Sequence, residues 1–220
     1  VTGPESLLAE RAVADFVAAA TAARPDAAVI RLEAAGLDAG TLAEAAGGSL
    51  FAAASVVVVN DLAELPAELA DRVHALAADP GPELALALVH AGGVKGKALL
   101  DRLKKLRPRL ADCQAIKAWE LPQFLTNEAR RLSGRVDART AGVLVEAVGT
   151  DTRALAAALR QLLEDSPERQ LDEETVRRYF GGRAEVTSFA VADDALSGRL
   201  EGALGELRWA LATGVAPVLI

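Results

Sequence analysis

The sequence predicts an α/β domain with a parallel sheet, followed by a region that is entirely helical. Apolar runs typical of strands alternate with amphipathic helical segments up to about residue 117. One of these runs, Val56–Val59, consists of four consecutive valines. A β-branched run without polar alternation is typical of a strand buried on both faces of a parallel sheet. Beyond Trp119 we find no strand pattern.

The elements of the first domain follow one another at the spacing of βα units. Helices are predicted near Leu7–Arg24, Ala39–Ala46, Pro66–Ala78 and Lys97–Leu106. Gly47 and Gly48 are expected to end the second of these helices. The predicted strands are Ala28–Leu32, Ser55–Val59, Glu83–His90 and Asp112–Ile116.

Short amphipathic helices with brief loops predict a small helical bundle after Trp119. The helices are expected at Leu121–Leu132, Asp137–Val148, Thr152–Leu163 and Asp172–Phe180, and then at Phe189–Leu196 and Arg199–Thr213. We therefore expect domains at residues 1–117, 118–182 and 183–220. The residues at the start are typical of the end of a strand, and those at 216–220 of the beginning of an apolar helix. We therefore expect the third domain to be incomplete.

Composition argues against several classes of protein. The chain of 220 residues carries 24 basic and 31 acidic residues, a net charge of −7. Proteins whose main task is to grip DNA usually present a basic surface, so any DNA contact is expected to be local. No apolar stretch is long enough to span a membrane, and a lone cysteine, Cys113, fits a reducing compartment. We expect a soluble cytoplasmic protein.

Metal, cofactor and nucleophile chemistry find little support in the sequence. The soft ligands are Cys113, His74 and His90, and their spacing matches no zinc pattern. Cys113 falls in a predicted core strand, where inert thiols are common. We therefore expect no bound metal, no cofactor and no catalytic residue.

Two glycine-containing turns partly match the phosphate-binding pattern Gly-x-x-x-x-Gly-Lys-Ser/Thr. The first predicted turn, at Gly3, has no lysine, and its Glu5 would repel a phosphate. A second loop, Gly92–Ala98, contains Lys95 and Lys97, but Ala98 stands where a hydroxyl must ligate magnesium. We expect a flexible basic loop, with a weak phosphate or DNA-backbone contact through these lysines as the functional alternative.

Two large apolar residues stand side by side after the second helix. Ser49-Leu50-Phe51 follows the glycine pair and precedes the valine strand. Adjacent residues on a helix point about 100° apart, so both can be buried only at an end or a bend. Leu50 and Phe51 are therefore either part of the domain's own core or an exposed anchor for a partner.

Several segments resemble, in order, motifs of the delta subunits of the bacterial DNA polymerase III clamp loader. The segments are the lysine-free first turn Val1–Glu5, Gly48–Phe51 before an apolar strand, Trp119–Pro122 at the domain junction, and Val186–Val191. A further one, Gly149–Leu155, is similar to the family's Gly-x-Asp-x-Arg-x-Leu segment. The resemblance extends from Val1 to Ile220.

The resemblance implies an AAA+-type first domain that does not hydrolyse ATP, a lid-like helical bundle, and the start of a helical collar domain. It implies a non-catalytic component of the polymerase III holoenzyme that binds the sliding clamp (beta) and opens it for loading onto primed DNA. Further partners would be the gamma/tau motor subunits and delta-prime, with DNA reached through the assembled complex. The clamp-binding residues would be Ser49, Leu50 and Phe51.

Two other functions stay open at this point. One is a P-loop ATPase or kinase that uses Lys97 of the Gly92–Ala98 loop together with Asp61, which follows the valine strand. The missing hydroxyl at Ala98 argues against it. The other is an AAA+-like adaptor outside replication. Only the Ser-Leu-Phe and Gly-x-Asp-x-Arg motifs argue against it.

Overall fold

The computed structural model describes residues 1–47, 52, 54–180 and 188–212, without the side chains of 188–190 and 212. The chain forms two compact units, Val1–Ala115 and Ile116–Ile220, and each is described by itself. The predicted limits of three domains remain predictions. No helix in the described part of the chain is long and apolar enough to cross a membrane.

The first unit is an α/β fold in which strands and helices alternate. It contains the helices α1 (Ser6–Ala23), α2 (Ala39–Ala46), α3 (Ala70–Ala78) and α4 (Lys97–Lys105), and the strands β1 (Ala28–Glu33), β2 (Ser55–Asn60) and β3 (Leu84–Leu88). The strands pair in the order β1-β2-β3, and both pairings are parallel.

The N-terminal residues extend this sheet beyond β3. Thr2 forms parallel bridges to both His90 and Asp112. The strand expected at Asp112–Ile116 is therefore wrong as an extended element, since only this bridge forms there. The segment is held by the bonds from Thr2 N–H to Ala111 O and from Cys113 N–H to Thr2 O.

The valine strand β2 lies at the centre of the first unit. Val56–Val59 are each 1% exposed or less, which confirms the prediction of a strand buried on both faces. Val57 and Val59 pack with residues of α2, α3 and α4, whereas Val58 packs with Val13 of α1. The helices therefore cover both faces of the sheet.

The second unit contains a helical bundle with a leucine-rich core. Its helices are α5 (Leu121–Arg131), α6 (Ala138–Val148), α7 (Thr152–Asp165), α8 (Glu173–Phe180), α9 (Ser188–Leu196) and α10 (Leu200–Ala212). Leucines with 1% exposure or less form the centre of this core: Leu121, Leu125, Leu144, Leu155, Leu159, Leu162 and Leu163.

The expectation that no strand follows Trp119 is wrong. Arg135–Val136 (β4) and Gln170–Leu171 (β5) form a parallel pair. Two residues are too few to show a strand period, and the pairing joins segments far apart in the chain. Strands of two residues, such as β4 and β5, therefore cannot be predicted from the pattern of apolar residues.

The Gly-x-Asp-x-Arg-x-Leu segment forms the corner between α6 and α7. Gly149 follows α6 with a φ of 95°, a conformation that favours glycine. The Asp151 carboxylate accepts a 2.6 Å hydrogen bond from Ala154 N–H and caps α7. Leu155 is completely buried. Each of these three motif residues thus has a structural role in the corner.

Candidate functional site at the carboxyl edge of the sheet

Loops that follow parallel strands gather at one edge of the sheet, where α/β proteins usually bind ligands. Here those loops are the turn Gly3–Glu5, the segment Asp61–Glu64 after β2, and the segment Ala91–Gly96 after β3. The candidate residues Asp61 and Lys95 lie in them, and Lys97 follows directly at the start of α4, so this edge is the candidate site for a nucleotide.

The Gly3 turn is packed too closely to admit a side chain. Gly3 has a φ of 135°, and a Cβ there would lie 2.1 Å from the carbonyl oxygen of Cys113. Its N–H donates to His90 O at 3.0 Å, and Glu5 N–H donates to Cys113 O at 2.9 Å. The turn therefore joins His90, just after β3, to the segment at Cys113, and close packing at Gly3 leaves no room for a side chain.

Glu5 occupies the position at the start of α1 where an anion would bind. Its carboxylate accepts a hydrogen bond of 3.3 Å from Leu7 N–H. Free N–H groups and the helix dipole make a helix N-terminus attractive to phosphate. A carboxylate from the chain itself satisfies one of these groups and repels a second anion, so this turn has a structural role.

His90 organises the loop after β3. It is only 1% exposed. Its Nδ1 lies 2.9 Å from the donating N–H of Gly92, and its Nε2 lies 3.0 Å from Lys95 O. Because Nδ1 accepts a hydrogen bond and Lys95 O can only accept one, the ring is neutral with its proton on Nε2. The loop is therefore held in shape by one buried side chain.

Both lysines of the Gly92–Ala98 loop are paired with carboxylates. Lys95 Nζ lies 2.5 Å from Glu64 Oε2, and Lys97 Nζ lies 2.7 Å from Asp101 Oδ2, one turn along α4. The hydrogen bond from Lys97 is the main reason that the pKa of Asp101 is lowered from its usual value. A phosphate would compete with these partners, and the predicted phosphate or DNA contact through Lys95 and Lys97 stays a prediction.

Asp61 forms a turn at the end of β2. It adopts the left-handed conformation with a φ of 48°, and its backbone oxygen accepts a 2.7 Å hydrogen bond from Glu64 N–H. Its side chain forms no capping hydrogen bond. Among the described residues, no group of three or more His, Cys, Asp or Glu side chains could hold a metal ion.

Sequence reasoning missed the role of His90 and the acidic partners of the lysines. A histidine at the end of an apolar strand, shortly before two glycines, was the available signal. No sequence pattern of this kind indicated that Glu64 and Asp101 pair with the lysines. Lys97 and Asp101 are an ordinary i, i+4 pair, while Glu64 reaches Lys95 from a separate loop.

The predicted clamp-binding residues Ser49, Leu50 and Phe51 lie outside the described residues. The structure describes the residues on both sides of this segment. Gly47 ends α2 with a 2.8 Å hydrogen bond from its N–H to Ala43 O, and Ser55, which is buried, begins β2. Ser55 lies at the amino edge of the sheet, opposite the edge that carries Asp61.

The first unit is a parallel sheet with helices on both faces and the second contains a helical bundle, which agrees with an AAA+-type domain followed by helices. No protein-family model matches the sequence, and no curated protein shows significant sequence similarity to it. The chain is similar in structure to the Bacillus subtilis DNA clamp loader delta protein YqeN. The TM-score is 0.65 and the identity 14%, over 99% of this chain and 68% of that chain.

A second solved structure resembles the chain more weakly. It is a point mutant of Thermotoga maritima RuvB, with a TM-score of 0.46 and 12% identity over 81% of this chain and 59% of that chain. The likeness to the delta protein, at 14% identity, shows a common fold only. The prediction of an AAA+-type parallel-sheet domain followed by helices is confirmed at that level.

Proposed function

We propose that this chain is a non-catalytic subunit of a replicative clamp loader, one that binds the sliding clamp and helps to open it. The observation that carries the proposal is the combination of an AAA+-type fold with a first turn filled by its own carboxylate, Glu5. The likeness to a clamp loader delta protein over nearly the whole chain supports it.

The absence of ATP hydrolysis is part of this proposal. Hydrolysis in P-loop proteins needs a lysine that reaches the phosphates and a hydroxyl on magnesium. The first turn contains neither residue type at those positions, and Ala98 follows Lys97 in the second loop. Lys97 also pairs with Asp101. An AAA+-type subunit without these residues would act by binding the clamp and not by hydrolysing ATP.

The anchor for the clamp is proposed to be Leu50 and Phe51, with Ser49 beside them. An apolar pair can supply substantial affinity, because burial of a Leu or Phe side chain contributes about 1.5–3 kcal/mol. The segment connects a capped helix end to the most deeply buried strand of the unit.

Further partners are proposed because a clamp loader subunit works within a larger complex. They are the gamma/tau motor subunits, delta-prime, and primed DNA reached through the assembled cytoplasmic complex. The net charge of −7 favours a DNA contact shared with these partners over independent binding. Clamp recognition would be dominated by apolar contacts and only weakly sensitive to moderate salt.

The double substitution Leu50→Ala/Phe51→Ala tests the anchor. We expect clamp affinity, measured on a sensor surface, to fall by about 10²- to 10⁴-fold, which corresponds to the loss of about 3–6 kcal/mol. The melting temperature should barely change. The matched control is Val94→Ala/Leu196→Ala, which removes two apolar side chains that are 89% and 87% exposed and should leave clamp binding intact.

Two outcomes would count against the anchor. If the double variant melts early, the residues belong to the domain's own core, since removal of a core Leu or Phe costs about 2–5 kcal/mol each. If the variant stays folded and binds the clamp as tightly as the parent chain, the anchor lies elsewhere. A parent chain that captures no clamp at all would reject the proposed function itself.

A further inference from the structure

The basic residues of this acidic chain are unevenly distributed. Residues 95–109 contain seven basic residues and one acidic residue, and four of the chain's five lysines lie among them. This segment therefore carries a charge of +6. The other residues, 17 basic and 30 acidic, carry a charge of −13. Positive charge is thus concentrated in α4 (Lys97–Lys105) and in the residues next to it.

The lysines of α4 lie on the side of the helix that faces solvent. Leu99 and Leu103 are each 6% exposed and pack in the core that contains the valine strand β2. Since successive residues of a helix are about 100° apart, Lys97, Lys104 and Lys105 lie on the side turned away from these leucines. All three lysines are exposed.

Two arginines continue the positive charge beyond the end of α4. Arg107 N–H donates to Lys104 O at 3.1 Å, and Arg107 itself has a left-handed φ of 54°. Pro108 follows and cannot continue the helix. Arg107 and Arg109 are both exposed. We define the basic surface as Lys97, Lys104, Lys105, Arg107 and Arg109.

Most of the charge on the basic surface is not neutralised by carboxylates. Lys97 pairs with Asp101, whereas the other four side chains form no ion pair with the part of the chain that the structure describes. The pKa of Asp101 is lowered chiefly by its hydrogen bond from Lys97, and also by the charges of Lys104 and Lys105. A single carboxylate thus lies among several cations.

The stability of α4 accounts for only part of this pattern. Cations in the last turn of a helix interact favourably with the helix dipole, which explains Lys104 and Lys105. Lys97 is the first residue of α4, where the dipole disfavours a cation. Arg107 and Arg109 lie outside the helix. Basic residues that extend over the whole helix and past its end indicate an anionic partner.

We propose that the basic surface binds the phosphate backbone of duplex nucleic acid without reading its sequence. From Lys97 to Lys105, α4 is about 12 Å long, a distance along which one strand of B-DNA presents about three or four phosphates. Residues 94–110 contain no aromatic side chain on which unpaired bases could stack. The duplex backbone therefore fits this surface better than a single strand does.

A membrane surface fits the same residues less well. A helix that binds lipid inserts its apolar face between the headgroups. In α4 that face contains Leu99 and Leu103, which are buried against the sheet. The basic surface therefore offers charge without an apolar face, as a contact with a phosphate backbone requires.

The inference deepens the proposed function, because it assigns a direct duplex contact to this subunit. It rests on the proposed function only for the source of the duplex. The acidic remainder of the chain makes independent binding weak, but charges beyond about 10 Å are largely screened at 0.1 M salt. A phosphate that touches the basic surface therefore responds mainly to the cations beside it.

The test measures binding of the full chain to a fluorescent DNA duplex of random sequence by anisotropy, over a range of salt concentrations. Four phosphate contacts predict a slope of about −3.6 in a plot of log K against log salt. In Lys104→Ala/Lys105→Ala the slope should become shallower by about 1.8. Affinity at about 50 mM salt should fall by about 10²-fold, since two fewer counterions are released.

The matched control is Arg160→Ala/Arg178→Ala, in the second unit. It removes the same charge from two exposed side chains and should leave both the slope and the affinity unchanged. Both variants should melt within about 2 °C of the parent chain, because surface substitutions have small effects on stability.

Four outcomes would overturn the proposal. The parent chain could fail to bind the duplex at low salt. The control could weaken binding as much as the lysine variant, which would trace the effect to net charge. A single strand of equal length could bind more tightly than the duplex. Polyglutamate could bind as tightly as the duplex, which would assign the surface to an acidic polypeptide. Because no clamp is present in this test, clamp capture by a chain that fails it would reject this inference and leave the proposed function in place.

Discussion

The two glycine-containing turns at the carboxyl edge of the sheet differ in how their polar groups are satisfied. The Gly3 turn is closed by backbone contacts with the segment at Cys113 and by the Glu5 carboxylate at the start of α1. The loop after β3 is closed by the side chain of His90, and its lysines pair with acids around it. One turn depends on close backbone packing and the other on a buried side chain.

This difference shows that glycine positions alone do not identify a phosphate-binding loop. Glycines after a strand and before a helix expose N–H groups whether or not a ligand is present. Here Leu7 N–H already donates to Glu5 and Gly92 N–H to His90. The positions of glycine alone do not reveal such internal acceptors. Three substitutions test the contrast between the turns.

The largest effect is expected for Gly3→Ala. The new Cβ would meet the Cys113 carbonyl at 2.1 Å, and φ at Gly3 is 135°, so both a backbone clash and strain arise. We expect a loss of about 4 kcal/mol in the free energy of unfolding, measured by urea denaturation.

Gly93→Ala is the matched control for Gly3→Ala. Gly93 also has a positive φ, 82°, but a Cβ there would meet no atom within 4 Å. Only the conformational cost should remain, about 1 kcal/mol. Equal losses for the two variants would show that strain, and not packing against Cys113, explains the role of Gly3.

An intermediate effect is expected for His90→Ala. The substitution removes the acceptor for Gly92 N–H and the donor to Lys95 O. We expect a loss of about 2–3 kcal/mol in unfolding free energy. Amide exchange at Gly92 should become faster. His74→Ala, on α3, is the control and should stay within about 0.5 kcal/mol of the parent chain. An unchanged Gly92 exchange rate would mean that the loop holds its shape without the imidazole.

The smallest effect is expected for Lys97→Ala. The exposed pair with Asp101 should contribute at most about 0.5 kcal/mol to stability. Titration of the parent chain with ATP and magnesium should give no saturable heat, and the variant should behave identically. Lys104→Ala, on the same helix, serves as the control. Micromolar ATP binding that Lys97→Ala abolishes and Lys104→Ala preserves would contradict the proposal and favour the ATPase or kinase alternative.

Local sequence patterns determined a large part of the architecture. The run Val56–Val59 predicted a strand buried on both faces, because consecutive β-branched residues have no polar face to expose. The helix boundaries at Gly47 and Asp151 were also predictable, since helix ends require residues that stop or cap the chain nearby. The α/β class followed from the order of such elements, and the AAA+-type fold was implied by the family resemblance.

Only the tertiary structure decided the features that join distant parts of the chain. Thr2 bridges Asp112, Arg135 pairs with Gln170, and Lys95 reaches Glu64, and none of these pairings has a period or a spacing in the sequence. Side-chain patterns encode the faces of a strand, whereas backbone pairing along its edges depends on which segments become neighbours in the fold.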